Sequence, residues 1–235
     1  MALTRHMYKF GRNPDIDTTT DPEDIWDAGG IYGWPAAALT TTVAGATAAD
    51  TATGSGMRAI TVVGLDSDWK WLEESAAMAG TGTVTLSNSF LRVFRAFGTS
   101  AGTGGKNAGN IQVKHGATVL AQISAGNGQT LMAIYTVPAD IKQAVLTGVR
   151  LNIATKVDTG ASVFLYSRDN SVANPIWRVR EAFGVTDTAP INNKYEESTT
   201  IFPAKTDIRL YVQEVAANNT DITGTFELRH EIDVP

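Results

Sequence analysis

From Met57 onward, apolar residues tend to recur at every second position, and Gly, Asn and Asp punctuate the runs; this period of two constrains the fold more than any other feature. A strand sends successive side chains to opposite faces, so such segments are half-buried sheet. The expected strands are 58–63, 69–74, 83–86, 89–97, 110–115, 118–123, 129–137, 144–156, 162–167, 176–183, 197–202, 207–215 and 224–231. Residues 98–109, with five glycines among twelve, read as a flexible loop. His115-Gly116 and the stretch 125–128 read as hairpin turns, and Asn218-Asn219-Thr220 as a turn between strands. Only Trp71 to Ala79 competes as a helix, and Gly80 with the preceding alternation opposes it.

Strands at this spacing, joined by such turns, indicate an all-β chain, a β-sandwich or barrel. The expected architecture is a jelly-roll-like antiparallel β-sandwich over residues 56–235, in one body or two sub-sheet modules, preceded by an extended N-terminal arm over residues 1–55. The arm is acidic, then rich in Ala, Thr and Gly, a composition that forms no core by itself. Asp21 as N-cap and Pro22 at the first helical position suit one short helical turn. Ile25, Trp26, Tyr32 and Trp34 are its apolar anchors and the candidate partner contacts. Deleting residues 1–50 is accordingly expected to leave a folded body that no longer attaches to its partner.

With 19 Lys and Arg against 24 Asp and Glu and no basic run, the chain is a poor match for nucleic acid. No run of about 18 apolar residues suits a membrane span, and the start lacks a signal-peptide core, so synthesis in the cytosol is expected. The absence of cysteine excludes disulfides, thiolate metal sites and cysteine nucleophiles. Charged residues are 18% of the chain, below the average of about 25%, and small uncharged residues that suit turns and subunit contacts take their place.

Chemistry-bearing motifs are weak. The loop 98–107 lacks the first glycine of a phosphate-binding loop, where Ser100 stands, and the hydroxyl after the lysine, where Asn107 stands. Asp15, Asp17, Asp21, Glu23, Asp24 and Asp27 concentrate carboxylates, but their spacing fits no calcium loop. His6, His115 and His230 are far apart in the chain. Asp66 with Asp68, or Glu73 with Glu74, offers paired carboxylates without evidence of a shared cleft. Trp69, Trp71 and Trp177, and Arg92, Arg95, Arg178 and Arg180 beside aromatics, read as strand faces before they read as a sugar-binding surface. The expectation is a protein that is not an enzyme and uses no metal or cofactor.

The segments Arg12-Asn13-Pro14-Asp15-Ile16-Asp17, Glu23-Asp24-Ile25-Trp26-Asp27-Ala28-Gly29-Gly30, Tyr135-Thr136-Val137-Pro138-Ala139 and Pro203-Ala204-Lys205-Thr206-Asp207-Ile208-Arg209 resemble structural proteins encoded among the head and tail genes of tailed bacteriophages. Asp140 follows Val-Pro-Ala where those proteins carry a glycine. The resemblance implies a virion component made in the host cytoplasm: a capsid decoration or cement protein, or else a tail, neck or fibre protein that binds a glycan. It implies the major capsid protein or other virion proteins as partners, and a homo-oligomer, with a homotrimer as the guess.

Overall fold

The computed structural model describes residues 3–20, 22–154 and 159–232, and among these no helix occurs. The chain divides into two compact units: unit 1 comprises Met1–Ile31 and Met132–Pro235, and unit 2, Tyr32–Leu131, is inserted within it. In chain order the strands are β1 (Leu3–Ile16) and β2 (Glu23–Asp24) of unit 1, then β3 (Leu39–Gly45), β4 (Met57–Leu65), β5 (Trp71–Ala77), β6 (Thr83–Phe90), β7 (Arg92–Ala101), β8 (Ile111–His115) and β9 (Thr118–Ile123) of unit 2. Unit 1 resumes with β10 (Ile134–Thr136), β11 (Gln143–Ile153), β12 (Gly160–Asp169), β13 (Arg178–Thr186), β14 (Ile191–Lys194), β15 (Ile201–Pro203), β16 (Thr206–Val215) and β17 (Thr220–Ile232).

Unit 1 has two antiparallel sheets. One runs β1-β17-β11-β14, with β15 also on β11; the other runs β10-β16-β12-β13, with β2 also on β16. Alternation decides which face is buried: in β12, Ala161, Val163 and Leu165 are buried while Phe164, Tyr166 and Arg168 are half-buried. β2 and β10 lie on one edge of β16 in consecutive register, Glu23 and Asp24 opposite Val212 and Tyr211, then Ile134 to Thr136 opposite Arg209 to Asp207. Between them the Ile25 amide donates to Leu210, the Leu210 amide to Ala133, and the Ala133 amide to Ile25 at 2.9 Å. Unit 2 is thus inserted into what is, by register, a single interrupted strand. A Cβ at Gly11 of β1 would overlap the Ile25 carbonyl and the Ala133 amide, so only glycine fits beside that junction.

The N-terminal arm is not observed. Residues 3–16 form the edge strand β1, paired along nearly all of β17. The helical turn expected at residues 21–24 is replaced by β2, whose Glu23 and Asp24 are buried; Asp21 lies outside the described residues. The segment 32–55 belongs to unit 2, where β3 pairs with β6 and β8.

Unit 2 also has two sheets, β6-β3-β8-β9 and β5-β4-β7. Trp71 to Ala77 is a strand, as the alternation favoured, and the His115-Gly116 turn does join the hairpin β8–β9, with Gly116 at φ 54°. Residues 125–128 turn but join no hairpin, because β9 pairs with β8 and β10 pairs with β16. The long glycine-rich segment is strand over its first third: β7 extends to Ala101 before the loop begins.

That loop is fastened by two buried polar residues. Asp50 accepts hydrogen bonds from the amides of Met57 (2.7 Å), Ala108 (2.9 Å) and Gly109 (2.9 Å) and from the Thr47 hydroxyl (3.1 Å). Asn107 donates to the carbonyls of Gly109, Ile123 and Ser124 and accepts from the Gly128 amide. Burial pushes the Asp50 carboxyl up, but the amide donors outweigh it and leave its pKa below the ordinary value. Asp50→Ala strands the buried amides of Met57 and Gly109 and frees that of Ala108, and we expect it to destabilise unit 2 by about 3 kcal/mol, read as a lower urea midpoint at unchanged m-value.

Candidate interaction surface

The loop between β12 and β13 begins with a turn in which Asp169 Oδ1 accepts from the Ser171 amide (2.8 Å) and hydroxyl (2.6 Å). Asn170 ties its base down, donating to the Lys205 carbonyl (2.9 Å) and to Asp207 Oδ2 (2.8 Å). Thus fixed, the loop presents Val172 and Ile176, 54% and 63% exposed. Opposite stand Ile201 to Pro203 of β15, and between them lies a cleft of about 410 Å³. Arg178 and Arg180 of β13 line it as well, Arg180 at the bulge where the register on β12 skips from Val179 to Glu181. Arg180 donates to the Ile201 carbonyl at 3.3 Å and lies over the Phe202 ring at 5.5 Å; among the described residues no side-chain carboxylate is bonded to either arginine. The result is an amphipathic cleft on an edge strand, where Val179 is also exposed.

Beneath it, the outer face of the β10-β16-β12-β13 sheet carries a ladder of charges and rings. Arg168 pairs with Asp207 at 2.6 Å, and Thr136 donates to Asp207 at 2.6 Å. Arg209 pairs with Asp24 at 3.2 Å and is enclosed by Trp177 (4.3 Å), Tyr211 (4.2 Å) and Tyr166 (5.5 Å). Two arginines face two fully buried aspartates, so this array neutralises itself.

Ile25, Trp26 and Tyr32 do not serve as exposed anchors: they are 0%, 3% and 1% exposed. Ile25 and Trp26 sit in unit 1, where the Trp26 indole N–H donates to the Gly30 carbonyl at 2.9 Å; the Tyr32 hydroxyl, in unit 2, donates to the Val93 carbonyl at 2.9 Å. Trp34, half-buried, packs edge-on to Tyr32 and under Arg92, which also covers Trp69. The surface these side chains lie on thus belongs to their own unit, and only Trp34 keeps part of its side chain exposed. The acidic cluster is likewise dispersed. Glu23 accepts from the Asn13 amide group (2.8 Å) and the Gly30 amide (2.5 Å), and Asp17 from the Asn219 amide (2.7 Å). Among the described residues no group of three or more His, Asp or Glu side chains is arranged to hold a metal.

His115 and His230 are both buried, and burial lowers both pKa values. His230 lies under the Tyr135 ring, its Nε2 3.2 Å from the hydroxyl, and burial with the nearby Arg5 charge brings it to about 4, against the opposing pull of Asp140. The unfolded chain takes up this proton near pH 6.5 and the folded chain only near 4. Stability is therefore complete above about pH 6.5 and falls as pH drops to about 4, by on the order of 3 kcal/mol from this group. His115 adds a loss of the same sign. In His230→Gln we expect a visibly flatter pH dependence of the urea midpoint over that window.

Comparison with known proteins adds little. No protein-family model matches the chain, and no curated protein does. Solved structures of infectious bursal disease virus align with it: the Gt strain at 9% identity, covering 100% of this chain and 82% of that one, with a TM-score of 0.15. The Gx strain aligns at 10% identity over 100% and 81% (TM-score 0.15), and the VP2 subviral particle at 8% over 99% and 81% (TM-score 0.14). Scores this low carry no structural argument.

Proposed function

We propose that unit 1 is a jelly roll and that the protein is a structural component of a bacteriophage particle, a decoration or cement subunit bound to its capsid. The order of strand pairing carries the fold. Let β2 and β10 count as one interrupted strand, and β14 with β15 as another. Unit 1 then has eight strand positions, and the first pairs with the last, β1 with β17. The second pairs with the seventh, the third with the sixth and the fourth with the fifth. That is one antiparallel ribbon doubled at its middle. Rolling it adds third to eighth, β11 with β17, and fourth to seventh, β12 with β16. Two four-position sheets result, the architecture of many viral capsid and lectin domains.

A fold of this kind hosts several functions, so the site must choose among them. Favouring assembly are the open cleft lined by Arg178 and Arg180, an exposed edge strand and a composition rich in small uncharged residues. The phage assignment itself rests on the sequence resemblance. A second role, glycan binding at a tail or fibre, is favoured by one feature: the half-exposed row of Phe164, Tyr166 and Trp177, stacked edge to face.

The test is to mix the purified protein with heads lacking it, and separately with tails, and to follow cosedimentation. Saturable binding to heads is expected. Binding to tails together with a glycan-array signal would favour the second role, and binding to neither particle part would sink both.

A further inference from the structure

Among the described residues, arginines line the cleft at one end of unit 1 and carboxylates rim the opposite end, and the strand register defines those ends. β12 ends and β13 begins at one end, where Ser167 pairs with Arg178 and Asp169 with Thr206. Arg178, Arg180 and Lys205 stand there beside Asp169, whose carboxylate is already bonded to Ser171, and the adjoining 138–142 loop adds Asp140 and Lys142, which offset each other. At the opposite end Ile16 pairs with Thr220 and Ala161 with Val215, and there the described residues include Asp15, Asp17, Asp187 and Glu214. Arg12, near that end, is bonded to Asp221 at 2.6 Å.

The acidic end is also shaped to project. Residues 17–20 form a turn closed by the Thr20 amide on the Asp17 carbonyl, and Asn218 Oδ1 accepts from both the amide and the hydroxyl of Thr18. Thr18, Thr19 and Thr20 are exposed, with Glu214 and Thr18 on one rim. This loop is a stiff acidic knob dressed in threonine methyls and hydroxyls. The cleft at the other end offers what such a knob needs: two arginines, the apolar Val172, Ile176 and Ile201, and the polar Ser167 and Asn174.

The geometry points to a second copy of this chain as the occupant of the cleft: the 15–20 loop and Glu214 of one molecule dock, head to tail, against Arg178 and Arg180 of the next. The contact is heterologous, because each copy uses one surface to give and a different one to receive, so copies close into a ring or continue as a filament. Charge complementarity sets its register and makes it sensitive to salt. This contact needs no capsid and stands apart from the particle assignment.

Sedimentation velocity on the full chain tests it, from about 1 µM to about 1 mM. In about 0.05 M salt, concentration-dependent association is expected, weakened at least about tenfold in about 0.5 M salt. The variants R178A/R180A and D15A/E214A change only exposed side chains, and unchanged circular dichroism spectra verify their folds. Each alone should associate at least about tenfold more weakly than the unaltered chain. Mixed together they should form heterodimers and stop there, since each retains only one half of the contact. A chain that stays monomeric at every concentration overturns the proposal. So does association that either variant leaves intact, or a mixture that fails to form heterodimers.

Discussion

A chain that begins at residue 18 is expected to lose the folded state of unit 1 altogether. The missing strand β1 pairs with β17 from Leu3 to Ile16, and Asn13 and Ile16 are buried, Asn13 holding Glu23. Its removal uncovers the edge of β17 and deprives the Ile25–Ala133 junction of Gly11, which packs against it. The loss exceeds the roughly 5–15 kcal/mol that separates a domain of this kind from its unfolded state. Hydrogen exchange reads the result: amides of β17 and β11 exchange freely in the shortened chain and are protected in the full one. Retained protection in β17 would restore the idea of a detachable N-terminal arm.

Arg209→Ala is the second large effect. It leaves the carboxylate of Asp24, 0% exposed, without its arginine, and removes the cation enclosed by Trp177 and Tyr211. Breaking a buried pair from one side costs about 3–5 kcal/mol, and the urea midpoint of unit 1 should fall accordingly. Replacing both partners with apolar residues, D24L/R209M, removes the uncompensated charge, so the double variant should be more stable than Arg209→Ala. A double variant no better than the single one would mean that Arg209 acts through its stacking and not its charge.

Why the arm was expected, and a strand found, is visible in the residues of β1. Its inward positions, 9, 11 and 13, are Lys, Gly and Asn, while Tyr8 faces outward at 45% exposure. The apolar alternation that marks a strand is therefore inverted here, because the interior it meets contains Glu23 and the close-packed backbone of Ile25 and Ala133. Where the buried faces are apolar, as in β4 and β12, the period of two located the strands to within a few residues. The boundary of the inserted unit left no mark in composition, since Ile31 and Tyr32 belong to different units within one aromatic run.

The cleft was legible only in fragments. Arg178 and Arg180 stood out beside aromatics, but Ile201 lies more than twenty residues away, and only the ladder of β15 on β11 places it. Asp50 gave no signal, and Asn107 stood out only as the residue that breaks a phosphate-loop pattern. A lone aspartate among alanines and threonines, and an asparagine in a glycine-rich loop, become the fasteners of unit 2 through partners as far as 59 residues away in the chain.

The interrupted strand has a consequence for how such a chain can vary. The chain leaves unit 1 after Ile31 and re-enters at Met132, a few residues beyond the backbone hydrogen bond that joins Ile25 to Ala133. Whatever length of polypeptide is spliced in at that point, the surrounding ladders keep their partners, so the insert is free to be enlarged, exchanged or trimmed to a short bridge. The host scaffold and its passenger can then diverge at separate rates, each answering to its own packing and its own neighbours.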